Sequence, residues 1–161
     1  MGVIGLGQEE YYTVRGYQLL KQNKELITPA MEDYLEMIYR CCQEEGYVRI
    51  SKLSQLLNVR ASSTTKMVQR LGTLGLIKYE RYGIVNLSDK GLEIGHFLLE
   101  RHNILGEFFE LLGSEESEIL KQIELIEHNL SSGTVLNIKS LCDFFYDHPE
   151  LHDLFIEHKK Q

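Results

Sequence analysis

Three groups of side chains in this sequence have the types and spacing to hold divalent cations. Asp33 and Glu36 lie three apart in a helical pattern, so both carboxylates project from one face. Glu124, Glu127 and His128 stand at i, i+3 and i+4 of a later helical pattern, again on one face, and His102 lies midway along a long apolar helix. If the three helices converge, four carboxylates and two imidazoles meet in one pocket. Such a pocket repels itself, and two divalent ions would neutralise its formal charge of -4. Each piece also has a plainer reading, the E-x-x-E-H as a solvated helix face and His102 as a half-buried polar residue. Glu93 and His96 form a further E-x-x-H. A carboxylate-bridged di-iron bundle needs two such helices and two partner Glu helices, however, and the sequence offers no second copy. His148, His152 and His158 read as tail histidines with no assigned ligand.

A second chemistry lies between the acidic groups. Arg60, Ser62, Ser63, Thr65 and Lys66 cluster at the start of one helical pattern, followed by Gln69 and Arg70. Short hydroxyl donors and long cations placed this way suit a recognition helix that meets base edges and phosphates. Arg81 and Tyr82 at a hairpin tip suit a wing touching the DNA backbone. The plainer alternative is a solvated face with Ser62 or Ser63 as a helix cap.

The elements that must position these groups follow from periodicity. After Thr28-Pro29, the run AMEDYLEMIYRCCQEE places Met31, Tyr34, Leu35, Ile38 and Tyr39 at helical spacing, with Thr28 as cap and Gly46 as stop. ISKLSQLLNV and ASSTTKMVQRLGTLGLI then read as two helices joined by about four residues, a helix-turn-helix. LIKYERYGIVNLSDKG changes to two short β-like runs around Tyr82-Gly83. Three helices followed by a hairpin predict a winged helix. From Ser88-Asp89 a long helix runs to Gly113, a helix capped by Ser114 runs through Leu130, and two more span about Thr134–Tyr146 and Glu150–His158. The expected division is an extension over residues 1–28, a winged-helix DNA-binding domain over 29–90 and a helical domain over 91–161. YYTVRGYQLLKQN in the extension reads as a short helix weakened by Gly16, a packing arm or frayed terminus. GVIGLG is not a phosphate loop, because no strand precedes it and no Lys-Ser/Thr follows.

Composition narrows the classes. The chain has 161 residues, 43% hydrophobic and 25% charged, which excludes disorder and fibrous repeats. Cys41, Cys42 and Cys142 form no C-x-x-C and no closed disulfide set, pointing to a reducing, cytoplasmic setting. No secretory leader or membrane span is expected. The net charge of -7 argues at face value against nucleic acid, but it is unevenly spread. Residues 30–45 carry -4, residues 46–90 carry +6 and residues 91–161 carry -9. The basic block is a plausible phosphate footprint.

PAMEDYLEMIY, SSTTKMVQRL, YERYGIVNLSDKG, ERHNILGEFF and IELIEHNLS, in one continuous register over roughly residues 29–147, together resemble the diphtheria-toxin-repressor-like metalloregulators, in particular their manganese-responsive members. The resemblance implies a mainly α chain with an N-terminal winged helix-turn-helix domain, an all-α dimerisation domain and a pair of divalent ions per chain. It assigns one ion to Glu36, His102, Glu127 and His128, and the other to Asp33 and Glu124 with Glu127 shared. Iron-responsive relatives place softer Met and Cys where this chain has Asp33 and Glu124. Hard carboxylates and imidazoles suit Mn(II), selected by ligand type and geometry, although Fe(II) fits the same ligands. The expected partners are a second copy of the chain and double-stranded DNA with a pseudo-palindromic operator. The 1–28 extension has no counterpart in the shorter members, and an end near Gln161 leaves no room for the SH3-like domain of longer ones. The expected function is metal-dependent repression of metal-uptake genes. Two rivals are a dinuclear metallohydrolase, since carboxylate-bridged ions also activate water, and a metal-independent winged-helix regulator.

Overall fold

The structure is a computed structural model that describes residues 16–22 and 26–161. The GVIGLG reading and the first part of the predicted arm lie outside the described residues. The chain packs as two units that divide after Leu99.

In the first unit, helix α1 (Pro29–Glu45) starts with Pro29, whose missing N–H would be unsatisfied at that position anyway. Thr28 occupies the cap position without a side-chain bond. Its carbonyl instead accepts from Met31 and Glu32 N–H at 2.8 and 3.0 Å. Gly46, at φ 80°, ends the helix by donating its N–H to the Cys42 carbonyl. Met31, Leu35 and Ile38 are fully buried, each contributing roughly 1.5–3 kcal/mol of transfer free energy.

Strand β1 (Val48–Arg49) leads directly into α2 (Ile50–Leu56), then α3 (Ala61–Thr73), β2 (Ile77–Tyr79), a 3-10 turn (Arg81–Gly83) and β3 (Ile84–Leu87). The sheet order is β1-β3-β2, antiparallel throughout, with Val48 opposite Val85 and Lys78 opposite Asn86. The expected hairpin is present, and β1 adds a strand too short to show any alternation. Helix α3 ends at Thr73 rather than Ile77, because Gly75 turns left-handed at φ 70° and Ile77 enters the sheet. Its cap position is Arg60, not Ser62 or Ser63, which both stand exposed in the first turn.

The core of this unit joins Leu35, Ile38, Leu53, Val68, Leu71 and Val85 to Ile94 and Leu98 of the long helix α4 (Asp89–Leu111). Ser88 starts α4 by accepting the Gly91 N–H at 3.0 Å and donating to the Gly75 carbonyl at 2.7 Å. Backbones meet closely here: a Cβ on Gly91 would lie 1.8 Å from the Leu76 carbonyl oxygen. The helical stretch over residues 16–22 packs as an arm on the same helix. A Cβ on Gly16 would lie 2.1 Å from the Glu93 carbonyl, Tyr17 meets Phe97 at 5.7 Å, and Leu20 enters the core.

The second unit holds the rest of α4, then α5 (Glu116–Ile126), a 3-10 turn (Glu127–Asn129), α6 (Ser132–Asp147) and α7 (Pro149–His158). Glu115, not Ser114, is at the cap position of α5, and the helix stops at Ile126 instead of running through Leu130. The Asn129–Gly133 stretch is rich in residues that compete with helix, and Ser131 caps α6 by accepting the Thr134 N–H at 3.1 Å. At the C-terminal end of α4, the orphan carbonyls of Leu111 and Leu112 accept from His152, at 2.8 Å, and from Lys159. The tail histidine His152 therefore serves packing. Burial pushes the thiols of Cys41, Cys42 and Cys142, all free, above the ordinary range. No helix among the described residues is long and apolar enough to cross a membrane.

Two stability tests follow from these contacts. Gly91→Ala should destabilise by about 2 kcal/mol or more, because backbone must move. Gly72→Ala, where the nearest atom lies 4.0 Å from the added carbon, should be neutral or stabilising. Urea melts of both variants check the contrast. Ser131→Ala should cost about 1 kcal/mol as a lost cap, whereas Ser62→Ala should stay within about 0.5 kcal/mol, as read by thermal unfolding.

Candidate metal centre and nucleic-acid interface

The strongest electrostatic demand in the second unit comes from Glu127. The 3-10 turn after α5 carries this carboxylate into a position only 2% exposed, where a charge needs partners. Its Oε2 lies 3.3 Å from His102 Nδ1, and its Oε1 lies 3.9 Å from His128 Nε2. Two imidazoles therefore address the two oxygens of one buried carboxylate. Donor atoms that share an ion at about 2.0–2.2 Å stand roughly 3 Å apart, so the His102–Glu127 pair has the spacing, and all three side chains the chemistry, of divalent-cation ligands.

Arg101, 3% exposed, was not singled out from sequence. Its Nη2 lies 3.3 Å from His128 Nδ1. A guanidinium only donates, so Nδ1 accepts and the other ring nitrogen is the one toward Glu127. Arg101 falls between Leu98 and Leu105 on the apolar stripe of α4, and that placement is the sequence signal that could have found it.

The break in α5 changes the expected geometry of the E-x-x-E-H. Glu124 sits exposed on the helix, while Glu127 and His128 follow in the 3-10 turn, so the three residues do not share one α-helical face. In the first unit, Asp33 and Glu36 both lie on α1 and are half-buried. Glu36 Oε1 accepts from Arg40 Nε at 3.0 Å and from Nη2 at 2.7 Å. The Glu93/His96 pair serves packing at least in part, with the Tyr39 hydroxyl 3.1 Å from His96 Nδ1.

The basic block forms an outward face on α3 and the hairpin. Arg60, Ser62, Ser63, Lys66, Gln69 and Arg70 are exposed, and Arg81 is exposed at the wing. Thr65 is half-buried and spends its hydroxyl proton on the Ala61 carbonyl at 2.9 Å, leaving it an acceptor. Thr64, passed over in the sequence, is fully buried. Its hydroxyl bonds the Arg60 carbonyl at 3.2 Å and lies 3.5 Å from the Tyr34 hydroxyl, fixing the start of α3 against α1. The cationic face is thus built on a helix whose opposite side, Thr64, Val68 and Leu71, is locked in the core.

Comparison with known proteins agrees with both units. Residues 26–85 match the family described as "Iron dependent repressor, N-terminal DNA binding domain", and residues 88–154 match "Iron dependent repressor, metal binding and dimerisation domain". The "HTH-type transcriptional regulator MntR" of Shouchella clausii is 42% identical over 120 residues, covering 74% of this chain and 84% of that protein. The protein of the same name from Listeria welshimeri is 42% identical over 123 residues, covering 76% and 87%. Among solved structures, "Crystal Structure of ScaR with bound Zn2+" is similar with a TM-score of 0.61 and 26% identity, covering 71% of this chain and 54% of that one. "Structure of the manganese regulator SloR", with a TM-score of 0.64 and 24% identity, is similar in fold, covering 73% and 55%. The chain thus spans about half the length of these two solved chains. A winged helix bearing a basic helix face, followed by a helical unit with a buried carboxylate between imidazoles, matches the two domains of one family. The chain belongs to the diphtheria-toxin-repressor-like, or iron-dependent repressor, family of transcriptional regulators.

Proposed function

We propose that this chain is a Mn(II)-activated transcriptional repressor that binds operators of metal-uptake genes as a homodimer. The observation that carries this reading is the buried Glu127 carboxylate with the imidazoles of His102 and His128 at its two oxygens, on a chain whose other unit presents Lys66 and Arg70 from a helix-turn-helix. The names of the MntR relatives and of the manganese regulator SloR support manganese, and the description of the family as iron-dependent makes Fe(II) the comparison ion. The relatives are named as regulators, not as hydrolases.

In this reading, two ions serve each chain. Glu36, His102, Glu127 and His128 hold one, Asp33 and Glu124 hold the other, and Glu127 is shared. Bound ions supply only positive charge and directional ligand fields, with no turnover. Asp33 and Glu36 lie on α1 of the DNA-reading unit, so ion binding is linked to DNA binding in this reading. Coupling of about 1–3 kcal/mol changes operator affinity by roughly 5- to 150-fold. Dimerisation is supported by large apolar side chains exposed in the second unit, among them Leu125 at 68% and Leu154 at 60%. A two-fold dimer reads a pseudo-palindrome whose half-sites lie about one helical turn apart or a multiple of it.

The metal reading is tested by Glu127→Gln, which keeps shape and removes charge. It should abolish Mn(II)-stimulated DNA binding while leaving circular dichroism unchanged, and calorimetry should fall from two Mn(II) ions per wild-type chain. An unaltered Mn(II) response in gel shifts rejects the site, and an Fe(II) arm run anaerobically identifies the preferred ion. The DNA reading is tested separately by Lys66→Ala. This variant should weaken binding across sequences and reduce the slope of log affinity against log salt by about 1, with Mn(II) affinity unchanged.

A further inference from the structure

Arginine is almost never fully buried unless it is paired, yet Arg101 is 3% exposed, one residue before His102 on α4. Its guanidinium stays charged at every working pH and only donates hydrogen bonds. Nη2 lies 3.3 Å from His128 Nδ1, so a fixed positive charge and a donor face that ring nitrogen. Arg40 is placed differently. It holds Glu36 Oε1 with a side chain 39% exposed, so it can turn to water when another cation approaches. Arg101 has no such exit.

An imidazole that ligates a cation through one nitrogen carries its proton on the other. That proton is normally donated to a carboxylate, a carbonyl or water. In His128 the nitrogen toward Glu127 is Nε2, 3.9 Å from Oε1. Ligation through Nε2 places the proton on Nδ1, where it meets Arg101 donor against donor. The charge acts in the same direction, because a guanidinium buried beside the ring repels a cation held by that ring, with little water to screen the two. The hydrogen-bond conflict falls on the imidazole and not on the carboxylates. Divalent ions do not feel this equally. Imidazole is a favoured ligand of Zn(II), whereas Mn(II), which binds a given donor set more weakly than Zn(II), is suited by carboxylates.

Resting on the ligand set proposed above, we propose that Arg101 is a positioning residue that sets metal choice. It holds the His128 ring in the orientation and tautomer that make it a poor ligand, and so lowers the preference of the centre for Zn(II) over Mn(II). Binding then relies on the carboxylates, which favour the harder ion. The device works through hydrogen-bond direction and a permanent charge, so it operates without any change in protonation of Arg101.

The test uses the full-length protein, titrated with Mn(II) and with Zn(II) against a competing chelator, together with nitrogen-15 NMR of the histidine rings. In wild type without added metal, His128 should carry its proton on Nε2 and none on Nδ1. Arg101→Met, of similar length but without charge or donor, should tighten Zn(II) binding more than Mn(II) binding and raise the preference for Zn(II) roughly tenfold, the lower end of outer-shell effects. Arg101→Lys restores a charge and donors and should stay close to the wild-type ratio. An unchanged ratio in Arg101→Met, or weaker binding of both ions with circular dichroism unaltered, overturns the proposal. A wild-type His128 protonated on Nδ1 also overturns it, and that measurement decides the matter even where Arg101→Met does not fold. Failure of the ligand set itself has a separate signature: His128→Gln then binds both ions as wild type does, which overturns the metal reading on which the role of Arg101 rests.

Discussion

A carboxylate buried to 2% exposure cannot stand without compensation, and Glu127 sets the terms for the second unit. Desolvating an ion costs far more than any single hydrogen bond returns, so the surrounding chain must deliver several polar partners to one place. It does so with a long helix and a broken one. Helix α4 supplies His102 and Arg101 on adjacent positions, and the end of α5 tightens into a 3-10 turn that carries Glu127 inward with His128 beside it. Arg101 in turn orients His128. This arrangement explains why a strongly polar cluster occupies a unit that otherwise buries Ile104, Leu105, Ile123 and Val135.

The uneven charge of the chain acquires a division of labour from the same constraint. Residues 46–90 carry +6, with Arg60, Lys66, Arg70, Lys78 and Arg81 on α3 and the hairpin, while the acidic flanks contain every carboxylate assigned to the ions. A protein of net charge -7 can thus carry a local phosphate footprint, and its affinity for DNA becomes a matter of which face is presented. In the proposed reading, the acidic residues supply the ion ligands. Separating the two chemistries lets Lys66 and Glu127 be altered independently.

Much of the fold was legible because its signals are periodic. Met31, Tyr34, Leu35 and Ile38 announce α1, and Pro29 and Gly46 bound it within a residue. The hairpin was readable from the switch to alternating residues around Tyr82-Gly83. Two-residue β1 was not, since it is too short to show a period and is defined by its partner Val85 rather than by itself. The caps misled for a related reason. Ser62, Ser63 and Ser114 have capping chemistry, but Arg60 and Glu115 take the cap positions because tertiary packing sets where each helix starts. The ligand types at the candidate centre were legible, whereas the change from α-helix to 3-10 turn was not, and Arg101 was hidden inside an apolar stripe whose residues read as core.

The start of helix α4 is gripped by main chain on two sides: the Leu76 carbonyl stands over Gly91, and Gly16 of the arm stands over the Glu93 carbonyl. Main chain cannot swing aside as a side chain can, so a methyl group at either glycine would have to shift a whole segment rather than one rotamer.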